Sequence, residues 1–501
     1  MKSLNEEQSQ AVMDFVAWGV AMHAYSEAET VYRTNLVLAK LGATSLVQGL
    51  TGHTDTNLSD LADQLIAVQD TDFEMGWQAA IDRTELLNIV TPTPDVLAAE
   101  FERLYKVDPE QAVKYYYFIS ESVENVKVND IARNIAFTHN SKYGDIEITI
   151  NLSKPEKTTA EIKAAASAPK STYPPTALDY TNEGYLGTVT AAPRLTHRFI
   201  RENFSNETWG WHYSPYAYFE EHAIFVNFKR QPMQMGLRTF TRLMQIVTRY
   251  PMYMVGSNAD LPIVGGSILS QEHYQAGRHA FPMMKADVKQ KVALSEYENV
   301  EVAVLNWPMT AFRVSSTDAA DVVAASEFIR RAWEKYSDEK LMIHATSAEG
   351  DRQHTVTPIA QFKDGKYELY LVLRDNGTSE DYPMGIFHPH ADVQHIKQEN
   401  IGLIEVMGLA ILPARLLKEL QKVEDFLIDR ASLDEVAEGH RAWAQQIKQD
   451  RQASPTTVTE IVQEEVGKVF VRVLEDAGVY KDDANGQAGL DRFIKYLASA
   501  E

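Results

Sequence analysis

The apolar residues of this chain change their spacing twice, and that change limits the fold more than any other feature. Up to about residue 130 they recur at helical intervals, as in Leu61, Leu65 and Val68. Asn57-Leu58-Ser59-Asp60 can open a helix, and Asp108-Pro109-Glu110 sets proline at a first helical position with acid in the first turn. At Tyr143-Gly144-Asp145 the period drops to two. Ile146, Ile148 and Ile150 alternate with Glu147, Thr149 and Asn151, as on a half-buried strand.

Further strands are expected over 223–227, 302–306 and 366–374, the last after an Asp364-Gly365 hairpin turn. Between the first two, Leu237, Phe240, Leu243, Met244 and Val247 mark one helical face, which Pro251 ends. Ser316-Thr317-Asp318 opens a helix through Trp333, and from about residue 414 the spacing is helical again. The pattern predicts an α+β protein: a helical N-terminal domain over 1–130, a mixed core over 131–420, and a helical C-terminal region over 421–501. Pro, Ala, Ser and Thr crowd residues 154–177, the best linker candidate.

Composition narrows the function by exclusion. The chain has no cysteine, so it can form no disulfide, no thiol nucleophile and no thiolate-held zinc. Its most apolar stretch, 401–417, is broken by Glu405, Pro413 and Arg415 and reads as core rather than as a membrane span. Met1-Lys2-Ser3-Leu4-Asn5-Glu6-Glu7 lacks the apolar run of a secretion signal, and a cytoplasmic location is expected. A net charge of −22 argues against nucleic acid. Residues 191–290 nevertheless hold 11 Lys and Arg against 7 Asp and Glu, a window that could favour a small anion.

That window contains the densest local peculiarity: Gly256-Ser257-Asn258-Ala259-Asp260, then Gly265-Gly266-Ser267, then Gln271-Glu272-His273-Tyr274-Gln275-Ala276-Gly277. Glycines allow close backbone approach to a ligand, and small hydroxyl and amide side chains can bond phosphate oxygens. On an extended strand His273 and Gln275 share one side. There an imidazole can attack phosphorus while the amide donates to a non-bridging oxygen. By itself this spacing is a weak signal, because most His-x-Gln pairs catalyse nothing.

The run from Gly256 to Gly277 resembles the signature of the galactose-1-phosphate uridylyltransferase family, in its second bacterial branch, within the histidine-triad superfamily. The likeness extends to Tyr143-Gly144-Asp145, to 150–157, to Tyr213-Ser214-Pro215-Tyr216 with Glu221-His222, and to Trp307-Pro308-Met309. It continues through Thr357-Pro358-Ile359-Ala360, 385–390 and 399–408, in the branch's order. The resemblance implies a histidine-triad-like antiparallel sheet in two related halves, over 131–310 with the nucleophile and over 311–420. It also implies a ping-pong exchange among UDP-glucose, galactose 1-phosphate, glucose 1-phosphate and UDP-galactose, in a homodimer. His273 matches the family's nucleophile and Gln275 its phosphoryl-holding amide. Asn258 and Ser267 are candidates for nucleotide and α-phosphate contacts, and Lys154, Lys157 and Arg278 for phosphate binding.

The chain departs from the family where Gln271 replaces a usual histidine, Glu272 a common aspartate and Ala276 a second glycine. In the other branch the first histidine of the motif binds zinc with cysteines, so that site is not expected here. The chemistry calls for no cofactor: neutral imidazole attacks without losing a proton, and the leaving sugar phosphate is a stable anion. No metal is predicted, although His388, His390 and His395 have a spacing that could suit a structural ion. Two alternatives stay open: a nucleotide-sugar-binding or low-activity paralogue, motivated by Gln271, and a nucleotidyltransferase with another sugar or base.

Overall fold

Asparagine, proline and aspartate open the N-terminal helices where the sequence places them. The structure, a computed structural model, describes residues 2–69, 71, 73, 75–153, 164, 172–266 and 268–500. Strands β1 (Lys2–Ser3) and β2 (Ala43–Ser45) pair in parallel beside helices α1 (Glu6–Ala21), α2 (Thr30–Lys40), α3 (Leu58–Gln69), α4 (Gly76–Asn88), α5 (Pro94–Tyr105), α6 (Pro109–Ser122) and α7 (Val128–Ile131). Asn57 Oδ1 accepts the Asp60 amide at 2.8 Å at the start of α3, and Asp108 accepts the Glu110 amide at 2.9 Å before α6. Each removes one of the unpaired amides that every helix start exposes. Val12, Phe15, Val37, Leu61, Leu65 and Leu86 close a shared core.

The period-two segment forms an antiparallel hairpin, β3 (Ile135–Ser141) and β4 (Gly144–Ile150), with Ile146, Ile148 and Ile150 buried as their alternation requires. Strands β5 (Ile200–Phe204), β6 (Glu207–Tyr213) and β7 (Ala223–Asn227) form an antiparallel meander. Helices α5 and α6 are tied to it by aromatic edges: Trp211 lies 5.0 Å from Tyr116 and 5.9 Å from Phe101, ring centre to ring centre. The Tyr116 hydroxyl donates to the Arg198 carbonyl at 2.6 Å, so the ring buries its apolar body without stranding its polar end.

The remaining elements are α8 (Leu237–Arg249), β8 (Met254–Gly256), β9 (His273–Gly277), α9 (Pro282–Lys285), β10 (Val288–Val292), β11 (Glu301–Leu305), β12 (Ala311–Ser316), α10 (Ala319–Lys335), β13 (His354–Lys363), β14 (Lys366–Asp375), α11 (Leu403–Val406), β15 (Leu409–Leu412), α12 (Arg415–Leu427), α13 (Arg441–Asp450), α14 (Val458–Ala477) and α15 (Ala484–Ala500). Strands β10, β11, β12, β14, β13, β8 and β9 lie side by side in that order, each pair antiparallel. The β13–β14 hairpin turns through Asp364 at φ 51° and Gly365 at φ 77°, the left-handed pair that a two-residue turn between twisted strands demands. Helices α8 and α10 pack against each other and on β13, burying Phe240, Leu243 and Val247 with Ala325, Ile329 and Trp333. Strand β15 joins β4 in parallel in a separate three-stranded sheet.

The α+β class expected from the spacing is the class observed. The chain divides into two compact units, Met1–Ala132 with Ser153–Lys229, and Arg133–Leu152 with Arg230–Glu501. The division expected at 130 falls beside the Ala132/Arg133 border. Those at 310 and 420 fall between the paired strands β11 and β12 and inside α12, so neither separates these units. Of the linker candidate 154–177, only residues 164 and 172–177 are among those described. No helix of the described residues is long and apolar enough to cross a membrane.

Candidate active site

Strand β9 is fastened by the residue in front of its histidine. Glu272 is 1% exposed, and its Oε1 accepts from Arg242 Nη1 at 2.6 Å and from the Tyr274 hydroxyl at 2.8 Å. Its Oε2 accepts from Gln231 Nε2 at 2.6 Å, and its backbone amide donates to the Gln231 carbonyl at 2.7 Å. Arg242, also 1% exposed, rises from the side of α8 that carries Thr239 and Ile246, away from the face of Phe240, Leu243 and Val247. A buried carboxylate persists only when such donors replace its lost water. Glu272 therefore locks the strand start to α8 and to the segment before it.

Strand alternation turns His273 to the opposite side from Glu272. The ring is 7% exposed, and Nδ1 lies 2.8 Å from the backbone carbonyl of Gln271. A carbonyl only accepts, so Nδ1 carries the proton and Nε2 keeps the lone pair. Burial pushes the imidazole pKa below its ordinary value, against smaller upward pulls from the Gln271 carbonyl and the Glu272 charge. The neutral form therefore prevails around neutrality. The Gln271 backbone carbonyl orients the ring, and any residue there would supply the same carbonyl.

Gln275 is half-buried two residues along β9, on the side of His273 and paired across to Gly256 of β8. Gly256 has no room for a side chain, since a Cβ would stand 2.7 Å from Leu403 Cδ1. The loop that follows β8 is held by Asp260. Its carboxylate accepts from the Met235 amide at 2.8 Å, Thr355 Oγ1 at 2.6 Å and Arg352 Nη2 at 2.8 Å. Burial works to raise its pKa, but the Thr355 bond and the Arg352 charge outweigh it and hold it below the carboxylate range.

Asn258 is buried beside this loop and spends its Oδ1 on the Leu403 amide at 2.9 Å, at the start of α11. Its nitrogen faces Gly266, where a Cβ would stand 2.7 Å from Nδ2. Arg278 is half-buried just past the end of β9, and His279 Nε2 lies 2.7 Å from Glu147 Oε2. Ser267, Lys154 and Lys157 lie outside the described residues. The structure thus brings His273, Gln275 and Gly256 together and places Asn258 and Arg278 on the segments flanking β8 and β9.

Several cations of the basic window are paired with carboxylates. Arg201 meets Glu183 and Lys229 meets Glu207 in the first unit; Arg242 meets Glu272 and Lys289 meets Asp482 in the second. The three histidines near residue 390 turn to separate neighbours. His388 Nδ1 lies 3.3 Å from the Pro389 carbonyl, His390 Nε2 lies 3.1 Å from the Ile386 carbonyl, and His395 packs against His440 and Trp443. Among the described residues no group of three or more histidine and carboxylate side chains could hold a metal ion. Arg242 and Asp260 support the site without having been expected there from the sequence, because each is matched to a partner far along the chain.

A neutral imidazole with its lone pair on Nε2, a carboxamide beside it and a glycine-lined loop are equipment for group transfer at phosphorus. The family comparisons say which kind. The N-terminal domain model of galactose-1-phosphate uridyl transferase matches residues 27–232, and the C-terminal domain model matches 246–445. The galactose-1-phosphate uridylyltransferase of Lactococcus lactis subsp. lactis (strain IL1403) is 45% identical over 490 residues, covering 97% of this chain and 99% of that protein. That of Streptococcus thermophilus is 47% identical over 496 residues, covering 98% and 99%. The chain belongs to the galactose-1-phosphate uridyl transferase family.

Proposed function

We propose that the chain moves a uridylyl group between hexose 1-phosphates through a covalent bond to His273. Nε2 of His273 donates its lone pair to the α-phosphorus of UDP-glucose, and an N–P bond forms. The bond from that phosphorus to the bridging oxygen breaks, and glucose 1-phosphate leaves with the electron pair. A phosphate oxygen of galactose 1-phosphate then attacks the same phosphorus, the N–P bond breaks, and UDP-galactose departs with the ring neutral again. No proton is transferred in either half. What the protein must supply is position and charge compensation.

One observation carries this reading: the Gln271 carbonyl holds the Nδ1 proton and leaves Nε2 as the basic nitrogen. The same bond disperses the positive charge that the ring gains in the intermediate. Because the orienting group is backbone, glutamine at 271 is compatible with full turnover, and the binding-only alternative loses its motive. Gln275 is proposed to donate to a non-bridging oxygen. Asn258, Ser267, Lys154, Lys157 and Arg278 are proposed to hold nucleotide and phosphates. The reaction as written uses no cofactor, and we place it in a cytoplasmic homodimer, the commonest symmetric assembly.

The test is incubation with UDP-glucose radiolabelled at the α-phosphate. Acid-labile, base-stable label on the protein, with release of one equivalent of glucose 1-phosphate, is expected. Its loss in His273→Ala, with the fold intact by circular dichroism, identifies the attachment site. Label that persists in that variant refutes the assignment.

A further inference from the structure

Arg374, near the end of β14, is a buried cation without a counter-ion. It is 2% exposed, and no carboxylate among the described residues stands within ion-pair distance. Nη1 donates to Thr357 Oγ1 on β13 at 3.1 Å, Nη2 donates to the Ile401 carbonyl at 2.9 Å, and the enclosed Nε makes no hydrogen bond. Glu405, whose charge reaches it, is committed instead to Lys397 Nζ at 3.0 Å. Burial draws the guanidinium pKa down to about 10, so it remains charged near neutrality. As packing alone this is an expensive choice, because an apolar side chain of similar volume would fill the space without desolvating a charge.

The Ile401 carbonyl shows what the arginine holds. Two residues on, the Leu403 amide donates to Asn258 Oδ1. An amide N–H only donates, so this bond fixes which end of the Asn258 carboxamide faces Leu403 and turns its NH2 toward Gly266. If segment 401–403 shifted, the carboxamide could rotate and offer an acceptor where it now offers donors.

We propose that Arg374 is a positioning residue for nucleotide binding: it clamps segment 401–403, and that segment orients the Asn258 amide hydrogens. The inference rests on the reading that Asn258 contacts the nucleotide. It predicts that Arg374 and Asn258 act as one unit, so that removing either loses what removing both loses.

The measurement is single-turnover uridylylation of the full chain against UDP-glucose concentration. Asn258→Ala and Arg374→Met are each expected to raise the half-saturating concentration about tenfold, the scale of one lost hydrogen bond to a charged ligand, with the plateau rate within about threefold. The double variant should rise no further, and Arg374→Lys should recover part of the loss. Effects that multiply in the double variant overturn the proposal, as does an unchanged Arg374→Met beside an impaired Asn258→Ala. An unchanged Asn258→Ala overturns the nucleotide reading of Asn258 and the proposal with it. Should Arg374→Met fail to fold, Thr357→Val removes one acceptor alone. A rise of about threefold, absent in the Asn258→Ala background, supports the clamp, and no rise overturns it.

Discussion

The two sides of β9 are finished to different degrees. On one, Glu272 and Tyr274 are tied down: the carboxylate takes a buried arginine, a buried tyrosine and a half-buried glutamine. On the other, His273 commits one ring nitrogen to a carbonyl and keeps the second basic. The residues are neighbours in sequence, and only the period of two separates them. The difference teaches that a reactive atom is left uncommitted where the atoms behind it are tied down. A site needs its reacting group placed to about half an ångström, and a bare strand end does not hold that.

The largest break is to remove the open side's one reactive atom. His273→Ala is expected to lower transfer by roughly 10⁴-fold or more, while covalent labelling disappears and thermal stability hardly moves. The quantities to read are kcat with both substrates present and the melting temperature. A variant that keeps even a hundredth of the activity would mean that another group attacks phosphorus.

Breaking the closed side should do the reverse, costing fold first. Glu272→Ala leaves Arg242 buried without its partner and is expected to lose about 3–5 kcal/mol of stability in urea unfolding. Arg242→Met with Glu272→Met should cost less than either single change, because it removes both charges together. If Glu272→Ala were as stable as the parent, the lock on β9 would not be what holds the strand.

A smaller change tests the amide. Gln275→His puts a group that can move protons where the amide cannot, and should raise hydrolysis of UDP-glucose relative to transfer, by roughly tenfold. Glucose 1-phosphate released without UDP-galactose formed gives the ratio directly. An unchanged ratio would show that residue 275 does not govern the fate of the intermediate.

Much of this was legible in the sequence where one local rule decides. The strand Ile146–Ile150 alternation, the Asp364-Gly365 turn and the Asp108 cap each follow from a few adjacent residues, and all stand as read. The motif from Gly256 to Gly277 pointed to His273 as the candidate nucleophile and to Gln275 as its strand neighbour. Its supports were not legible, because each is completed by a distant part of the chain. Arg242 is 30 positions from Glu272, Asp260 is 95 from Thr355, and Asn258 is 145 from Leu403. Pairing was equally out of sight in the basic window, where Arg201 meets Glu183 and Lys289 meets Asp482.

The neutral ring also sets a pH signature for the open side. Burial lowers the His273 pKa in the folded chain, so the ring stays unprotonated as pH falls through the ordinary histidine value near 6.5. The acid limb of kcat/KM for UDP-glucose should therefore lie below pH 6.5. The effect on stability runs the same way. Above 6.5 neither state binds the proton and the group contributes nothing. Below it the unfolded chain binds first, and stability is lost. His395, drawn down to about 4 chiefly by burial, adds to that loss between 6.5 and 4. An acid limb at or above 6.5 would mean that the ring is solvated in solution.

The gentlest prediction is also the sharpest about Gln271. If its carbonyl alone orients His273, then Gln271→Met, which keeps the backbone and the volume, should leave transfer within about threefold of the parent. It should cost only about 1 kcal/mol of stability for the lost side-chain polarity. The two readouts separate two roles. Stability follows how the buried amide packs, whereas the pH at which the acid limb falls follows the hydrogen bond on Nδ1. A variant that folds, binds UDP-glucose and yet transfers more than tenfold slower, with its acid limb displaced, would put the side chain rather than the backbone in charge of the ring. The residue at 271 would then belong to the open side of the strand rather than to its support.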